Sequence, residues 1–390
     1  MDISRIQGSE TALSCITDWY ALGAAIGVKT NLMAWVLRER DEMQHRIKFG
    51  ERIVFRSDPP LRHIQSRLIT LFEPLFDAIP GTESIIAYRK GITATDVVRA
   101  VPHAKTFISF DIRHYYDNVT FQHIARCLEQ LGLPYIGAKL AARYCVVQKG
   151  SRHTLQQGSP ASPVLSNIVG HFAFDLPIKE WLKTEYPNLN ITYLRYCDNI
   201  ALFVHDEMPE GFSDRLKAFV KPKLAEQGFR THKWATVADN HPVMHQKFLG
   251  MVINAEARAE LDAVNRLRAI LFNWCRNGLA AEARNFMLEH GVDTGHGFID
   301  HGIMQEQFKR HLKGHIQYIR RLNRKQGLML EKLYVAAEYL DAVRHDGNSS
   351  RMVAEAANGV LMQQIFTNLK SYRDSRETVE QYMQRIKSAA

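Results

Sequence analysis

Two aspartates stand where apolar strand patterns end. In Thr106–Phe107–Ile108–Ser109–Phe110–Asp111–Ile112, alternation puts Ile108, Phe110 and Ile112 on one face and Ser109 with Asp111 on the other. A carboxylate at such a place costs free energy unless it is hydrogen-bonded, solvated or bound to a cation. The second acid, Asp198, lies where two β-prone runs, 191–196 and 200–204, meet at Asp198–Asn199. That pattern reads as a hairpin, with an Asp–Asn pair that tolerates positive φ in a tight turn. Each segment taken alone is also satisfied by a structural role, a strand-end turn residue in one case and a good β-turn in the other. Brought together, the two carboxylates would bind hard divalent cations.

Between them runs Leu155–Gln156–Gln157–Gly158–Ser159–Pro160–Ala161–Ser162–Pro163–Val164–Leu165–Ser166–Asn167. Ser162 suits a helix N-cap and Pro163 the first helical position, while Gly158 lets backbone come close to a planar ligand or a sugar. An ordinary proline-directed helix start accounts for the second half of this segment, but few such starts need all of it.

The elements that must position these residues are a set of strands at 106–112, 191–196, 200–204 and 246–253, with helical patterns at 121–131, 162–175 and 213–227. A layered domain of strands and helices over 106–254 follows. Ahead of it, apolar residues at helical spacing (Leu13, Ile16, Trp19, Tyr20, then Leu32, Trp35, Val36) give two helices around a break at Gly23 to Gly27, an N-terminal helical extension over 1–45. Residues 46–105 combine a short strand at 52–56 with an amphipathic helix from Leu61 to Phe76, started by Pro59–Pro60. Beyond residue 255 the pattern is helical and rich in Lys, Arg and His.

The 390 residues are 46% hydrophobic, enough to bury a core without staples, and carry 50 Lys+Arg against 41 Asp+Glu for a net charge of +9. A polyanionic partner fits that excess, which also serves plain solubility. The 5 cysteines are odd in number and form no CxxC pair, against a disulfide framework and a zinc ribbon. The expectation is a cytoplasmic protein with no membrane partner, since Asp18, Lys29 and Arg38 interrupt the apolar stretches near the N-terminus.

In order, FDIRHYYDNV, QGSPASPVLSN and YCDN resemble the palm motifs of reverse transcriptases, and most of all the prokaryotic group of retron, abortive-infection and defence-associated enzymes. Lys48, Arg52, Pro60, Leu61, Ile64 and Gln65 resemble that family's entry to the fingers, Gln246–Gly250 its primer grip, and Leu312–Ile319 a thumb segment. The resemblance implies an α+β right-hand polymerase: fingers over 46–105, a palm of antiparallel sheet and packed helices over 106–254 with finger insertions near 132–156, and a helical thumb and C-terminal region over 255–390. The implied activity is RNA-directed DNA polymerisation from dNTPs, in bacterial anti-phage defence.

The resemblance also assigns roles. Asp111 and Asp198, with the backbone carbonyl of Ile112, would hold two Mg²⁺ ions, or Mn²⁺ in their place, bridging the 3′-hydroxyl, the α-phosphate and the leaving pyrophosphate. Tyr116 would sit under the sugar and exclude a 2′-hydroxyl. Gln157 and Gly158 would track template and incoming nucleotide, and Lys48 and Arg52 would neutralise the triphosphate, although both also read as solvated surface charge. Ser159, Phe248, Leu249, Gly250, Lys313 and Arg320 would contact primer and template. The implied partners are an RNA template, including a dedicated non-coding RNA, and the DNA product, with a homo-oligomer or a partner protein as further options.

Two departures from the family pattern stand out. Asn199 occupies the place of a second Asp, which removes one negative charge and weakens metal binding. The family's later lysine motif is blurred in Gly228–Phe229–Arg230–Thr231–His232–Lys233–Trp234, leaving Lys233 as the candidate general acid. These departures keep open a weakly active RNA-binding scaffold, and Tyr372 and Tyr382 keep open protein-primed or template-independent synthesis. His311 with His315, and His241 with His245, stand four apart without further ligands at matching spacing, and no zinc site is assigned. The basic run from Lys309 to Lys325, interleaved with Phe308, Tyr318 and Leu322, reads as a solvated helix face or a grip on duplex phosphates.

Overall fold

A computed structural model describes residues 13–49, 52–254, 258–289, 301–345 and 384. Tyr372 and Tyr382 lie outside the described residues, as does the side chain of Arg52. The chain divides into two compact units, Met1–Phe248 and Leu249–Ala390.

The first unit opens with α1 (Trp19–Ile26), whose N-cap Asp18 accepts from the backbone N–H of Ala21, and which ends at Gly27 in a left-handed conformation. After it comes α2 (Thr30–Glu39). The apolar sides of both, Leu22, Ile26, Met33 and Val36, are buried in the same cluster as Leu61, Ile64 and Leu68 of the long helix α3 (Pro59–Asp77). No single described helix is long and apolar enough to cross a membrane; the pair α1 and α2 meets that test only jointly, across a 110° bend. Strands β1 (Gln44–Phe49) and β2 (Arg52–Ser57) form an antiparallel hairpin ahead of α3. The sequence pattern shows only the second of them, because the first, Gln–His–Arg–Ile–Lys–Phe, is basic and lacks apolar alternation.

A short α4 (Ala94–Ala100) leads to β3 (Thr106–Ile112), then α5 (Tyr115–Asn118), α6 (Phe121–Gln130) and α7 (Tyr135–Arg143). A small hairpin, β4 (Val146–Lys149) and β5 (Arg152–Leu155), precedes α8 (Ser162–Gly170), which passes through a π-helical turn at His171–Asp175 into α9 (Leu176–Glu185). Strands β6 (Ile191–Tyr196) and β7 (Asn199–Val204), helix α10 (Phe212–Glu226) and strand β8 (Thr231–Ala238) complete the domain. The central sheet runs β6-β7-β3-β8, antiparallel throughout. On one side Phe110 stacks flat on Trp234, with ring centroids 4.4 Å apart. Phe107, Phe203 and Phe248 meet edge to face elsewhere on the sheet.

Helix α6 is held by a reciprocal cap: Thr120 Oγ1 accepts from the N–H of His123, and His123 Nδ1 accepts from the N–H of Thr120. The expected strand over 246–253 is two short pieces, Lys247–Phe248 and Met251–Val252, because Leu249 and Gly250 both take positive φ between them.

In the second unit, α11 (Leu261–Asn277), α12 (Leu279–Glu289), α13 (His301–Leu322) and α14 (Arg324–His345) pack around Trp274, whose ring meets Phe308 at 5.9 Å and Tyr334 at 5.3 Å. The N-terminus of α12 is tied to α14 by the Asp341 carboxylate, which accepts from the N–H of Leu279 at 2.8 Å.

Candidate active site

The register of β3 against β7 pairs Asp111 with Asn199. Immediately beyond, the N–H of Ile112 donates to the carbonyl of Asp198 at 2.9 Å. Two acids 87 positions apart (198 − 111) thus lie at the same end of adjacent strands. The hairpin turn is Cys197–Asp198, since Tyr196 pairs with Asn199. Its one positive φ, 56°, belongs to Cys197 and not to the Asp–Asn pair that the sequence suggested. Positive φ at the first central residue alone is the II′ pattern that matches strand twist. It leaves Asp198 free of left-handed strain at the tip. Burial, and then the charge of Asp198, push the Cys197 thiol up to about 11, so it stays protonated beside the acid.

Asp111 has one carboxylate oxygen, Oδ1, buried without a hydrogen-bond partner, and the other 3.9 Å from Lys233 Nζ. An orphaned buried carboxylate oxygen costs on the order of 1–3 kcal/mol unless a cation takes the place of a donor. Asn199 donates its side-chain amide to Asp198 Oδ1 at 3.1 Å. Among the described residues no group of three or more His, Cys, Asp or Glu side chains is gathered for a metal. One or two carboxylates, completed by substrate phosphates and water, suffice for a hard divalent cation. Asp111, Asp198 and the Ile112 carbonyl are the groups that would hold it.

Lys233 reaches Asp111 through a bulge. Along β3 and β8, Ser109 faces Ala235 but Asp111 faces His232, so β8 carries one residue more than β3 over that interval. Lys233 sits within it at φ 50°, its side chain 74% exposed. A bulge that re-aims a side chain beside a site is a recurrent device. It also explains why the register of Lys233 is unreadable from alternation.

Behind the turn lies a charged pair. Arg195 and Asp175 are both fully buried, with Arg195 Nε 2.8 Å from Asp175 Oδ1. The same guanidinium donates to the carbonyl of Cys197 at 2.8 Å and to that of Asn167 at 3.0 Å, and Tyr193 donates its hydroxyl to Asp175 at 2.7 Å. Burial alone would lower the pKa of Arg195; the Asp175 carboxylate outweighs it and holds the group charged. The signal in the sequence was an arginine inside the otherwise apolar run of β6.

The Gln157–Gly158 segment is built differently from its sequence reading. Ser162 is the first helical residue and not the cap; its hydroxyl donates to the carbonyl of Gln156 at 2.6 Å, and Ala161 holds the cap position. Gly158 has φ 107°, and a Cβ there would stand 2.4 Å from the carbonyl oxygen of Phe55. The absent side chain therefore makes room for β2, where a planar ligand or sugar had been expected. The N–H of Phe55 donates to the carbonyl of Gln157 at 2.7 Å. Gln156, fully buried, joins Gln44, Ser57 and Gln65 in one hydrogen-bonded group. Ser159 is buried, with its Oγ accepting from the N–H of Ala161, so it stabilises its own turn and offers no surface to a primer. Gln157 donates to Asp117, which also pairs with Lys149.

Tyr116 donates to Ser166 Oγ at 3.4 Å, and burial raises its pKa. Lys48 is exposed on β1. Phe248 is buried against Phe107 and Phe203, and the carbonyl of Leu249 accepts from the Tyr318 hydroxyl at 2.9 Å. In the second unit Lys313 lies over the Tyr334 ring at 5.2 Å and Arg320 pairs with Glu331 at 2.6 Å. The rings of His311 and His315 meet at a tilt with centroids 4.4 Å apart, and His241 accepts from the N–H groups of Val243 and Met244.

No curated protein sequence matches the chain. Among solved structures it is similar to telomerase from Candida albicans in complex with the TWJ fragment of telomeric RNA, at 13% identity over 84% of this chain and 56% of that one, TM-score 0.40. Apo telomerase from Candida tropicalis gives 10% identity over 91% and 70%, TM-score 0.43. A form of the latter truncated from its C-terminal domain gives 9% over 59% of each chain, TM-score 0.38. The chain spans 56% and 59% of the first and last of these telomerase chains. The model of the family described as reverse transcriptase (RNA-dependent DNA polymerase) matches residues 60–253, which take in α3, the whole central sheet and both aspartates. Residues 60–253 carry a reverse transcriptase domain, and the fold over them is that domain's mixture of helices and antiparallel sheet.

Proposed function

We propose that the chain extends a DNA 3′-end from dNTPs along an RNA template, at two magnesium ions held by Asp111 and Asp198 with the Ile112 carbonyl. The observation that carries this reading is the pairing that sets Asp111 beside the Cys197–Asp198 turn with one of its oxygens buried and unpartnered. Bound there, the two ions would stabilise charge on the attacking and leaving oxygens of an in-line displacement. Tyr116 bounds the sugar, Gln157 is oriented by Asp117 toward the nucleotide, and Lys48 is exposed to meet the triphosphate. Lys233, aimed by its bulge, is the group to protonate the departing pyrophosphate. The wider setting we propose, a cytoplasmic bacterial defence against phage with a dedicated non-coding RNA as template, is supported by the resemblance of the motifs.

Asn199 supports a second reading, an RNA-binding subunit whose chemistry is weak, because its amide replaces a charge and spends a hydrogen bond on Asp198. One experiment separates the two. Primer extension by the full chain in Mg²⁺ should fall below detection in Asp111→Ala and in Asp198→Ala, with thermal melting retained. Incorporation surviving in either variant would refute the assignment of the metal site. Salt-sensitive RNA binding with no incorporation by the wild type, even as Asn199→Asp, would establish the scaffold.

A further inference from the structure

Lys149 has no part in the mechanism above, yet it closes a circuit of contacts around Gln157. The Gln157 side-chain amide donates to Asp117 Oδ1 at 3.3 Å, and Lys149 Nζ donates to the same oxygen. From there the ammonium lies over the Phe55 ring, 5.6 Å from its centroid. The N–H of Phe55 returns to the carbonyl of Gln157 at 2.7 Å. The side chain and the backbone of one glutamine are thus both held, by contacts that run through α5, β4 and β2.

Each member is placed by something besides the circuit itself. Lys149 ends β4 and pairs with Arg152 across the hairpin. The partner strand β5 is fastened to the end of α5: the N–H of Leu155 donates to the carbonyl of Val119 at 2.8 Å, and Thr154 bridges to Thr120. Phe55 is buried and pairs with Arg46 across the β1–β2 hairpin, and Asp117 sits on the same turn of helix as Tyr116. The side chains of Lys149 and Asp117 remain 26% and 40% exposed, so their pairing adds little to stability. What it does is orient. A carboxylate can only accept, so the end of the Gln157 amide that meets Asp117 must be Nε2. That leaves Oε1 as the end available to a ligand, and an acceptor engages a hydroxyl or an N–H but is repelled by a phosphate oxygen.

We propose that Asp117 and Lys149 are positioning residues for the incoming nucleotide: together they hold the Gln157 amide so that Oε1 accepts from a hydroxyl or N–H of the nucleotide and stays off the triphosphate. The proposal rests on the reading of Gln157 as a nucleotide contact. Loss of the one hydrogen bond that selects between the two settings of the amide is worth about a fivefold change in that equilibrium. Substitution of Lys149 acts at one remove, by freeing the partly exposed Asp117 carboxylate to swing away from the amide.

The test is single-nucleotide incorporation by the full chain, with KM for the dNTP read against kcat. Asp117→Ala and Lys149→Met should each raise KM by about fivefold and leave kcat within about twofold of the wild type. Combining either with Gln157→Ala should raise KM no further than Gln157→Ala alone, because all these changes remove one contact. Exchanging the charges, Asp117→Lys with Lys149→Asp, separates orientation from stability. The ion pair and the melting temperature are kept, but a lysine in place of Asp117 donates, so the amide turns Oε1 toward it and KM stays raised. A return of KM to the wild-type value in that double variant would show that the pair serves only the fold, and would overturn the proposal. So would an unchanged KM in Asp117→Ala and Lys149→Met while Gln157→Ala raises it, a result that leaves Gln157 standing as a nucleotide contact. If Gln157→Ala itself leaves KM unchanged, that reading fails and the proposal with it; a wild type that incorporates nothing sinks both.

Discussion

The two units of this chain handle charge in opposite ways. In the first, Arg195 is fully buried against Asp175 and each branch of its guanidinium is committed to a named carbonyl or carboxylate around the Cys197–Asp198 turn. In the second, three basic side chains of α13 are neutralised within the unit at its partly exposed faces: Lys309 by Glu338 at 3.3 Å, Arg310 by Glu306 at 3.0 Å, Arg320 by Glu331 at 2.6 Å. Removing one partner of a buried pair strands the other charge in low dielectric, whereas an exposed pair is largely compensated by water. A single buried cation therefore fixes geometry, and several exposed ones supply at most a diffuse field. The net charge of +9 reports the second kind and says nothing of the first.

That contrast breaks if Arg195 proves dispensable. Arg195→Met should cost about 3–5 kcal/mol, because Asp175 is left buried and unpaired. Urea unfolding of the first unit would show it; a loss below about 1 kcal/mol would mean the pair is not what holds the turn. The contrast sharpens with Lys233, a cation that is exposed yet aimed. Lys233→Ala should lower kcat by about a hundredfold, equivalent to roughly 2.7 kcal/mol of transition-state stabilisation, while RNA affinity changes little. A matching loss in affinity would instead make Lys233 an ordinary phosphate contact. The smallest effect belongs to α13: Arg320→Gln should change stability by no more than about 1 kcal/mol and leave the salt dependence of RNA binding nearly unaltered, since Glu331 already engages that guanidinium. A salt slope reduced by a full phosphate contact would show that nucleic acid displaces the glutamate.

How much of this could be seen in the sequence follows from the same physics. Strands β3, β6 and β7 and helices α6, α8 and α10 carry apolar periodicity bounded by turn residues, and their limits fall within a residue or two of expectation, α8 alone giving way to a π-helical turn after Gly170. The placing of Asp111 and Asp198 at the same end of adjacent strands agrees with what the motif resemblance implied. Strand β8 was not, because it lies at the sheet edge, reads Thr–His–Lys–Trp, and is bulged where alternation would have exposed it. Helices α7 and α9 and the first strand of the β1–β2 hairpin were missed for want of a clean polar–apolar period. The role of Arg195 was beyond pattern reading, since a buried ion pair joins residues 20 apart through the π-helical turn that positions Asp175.

The crowding at Gly158 has a consequence for how such motifs are read across relatives. With the Phe55 carbonyl 2.4 Å from where a methyl group would be, every larger residue is rejected before any substrate arrives. Selection for mere solubility and selection for catalysis would return the same letter. An invariant glycine at this point of the signature would thus be a record of how the hairpin of β1 and β2 docks, silent about the nucleotide, whereas variation at neighbouring Gln157 would carry the information about what is copied.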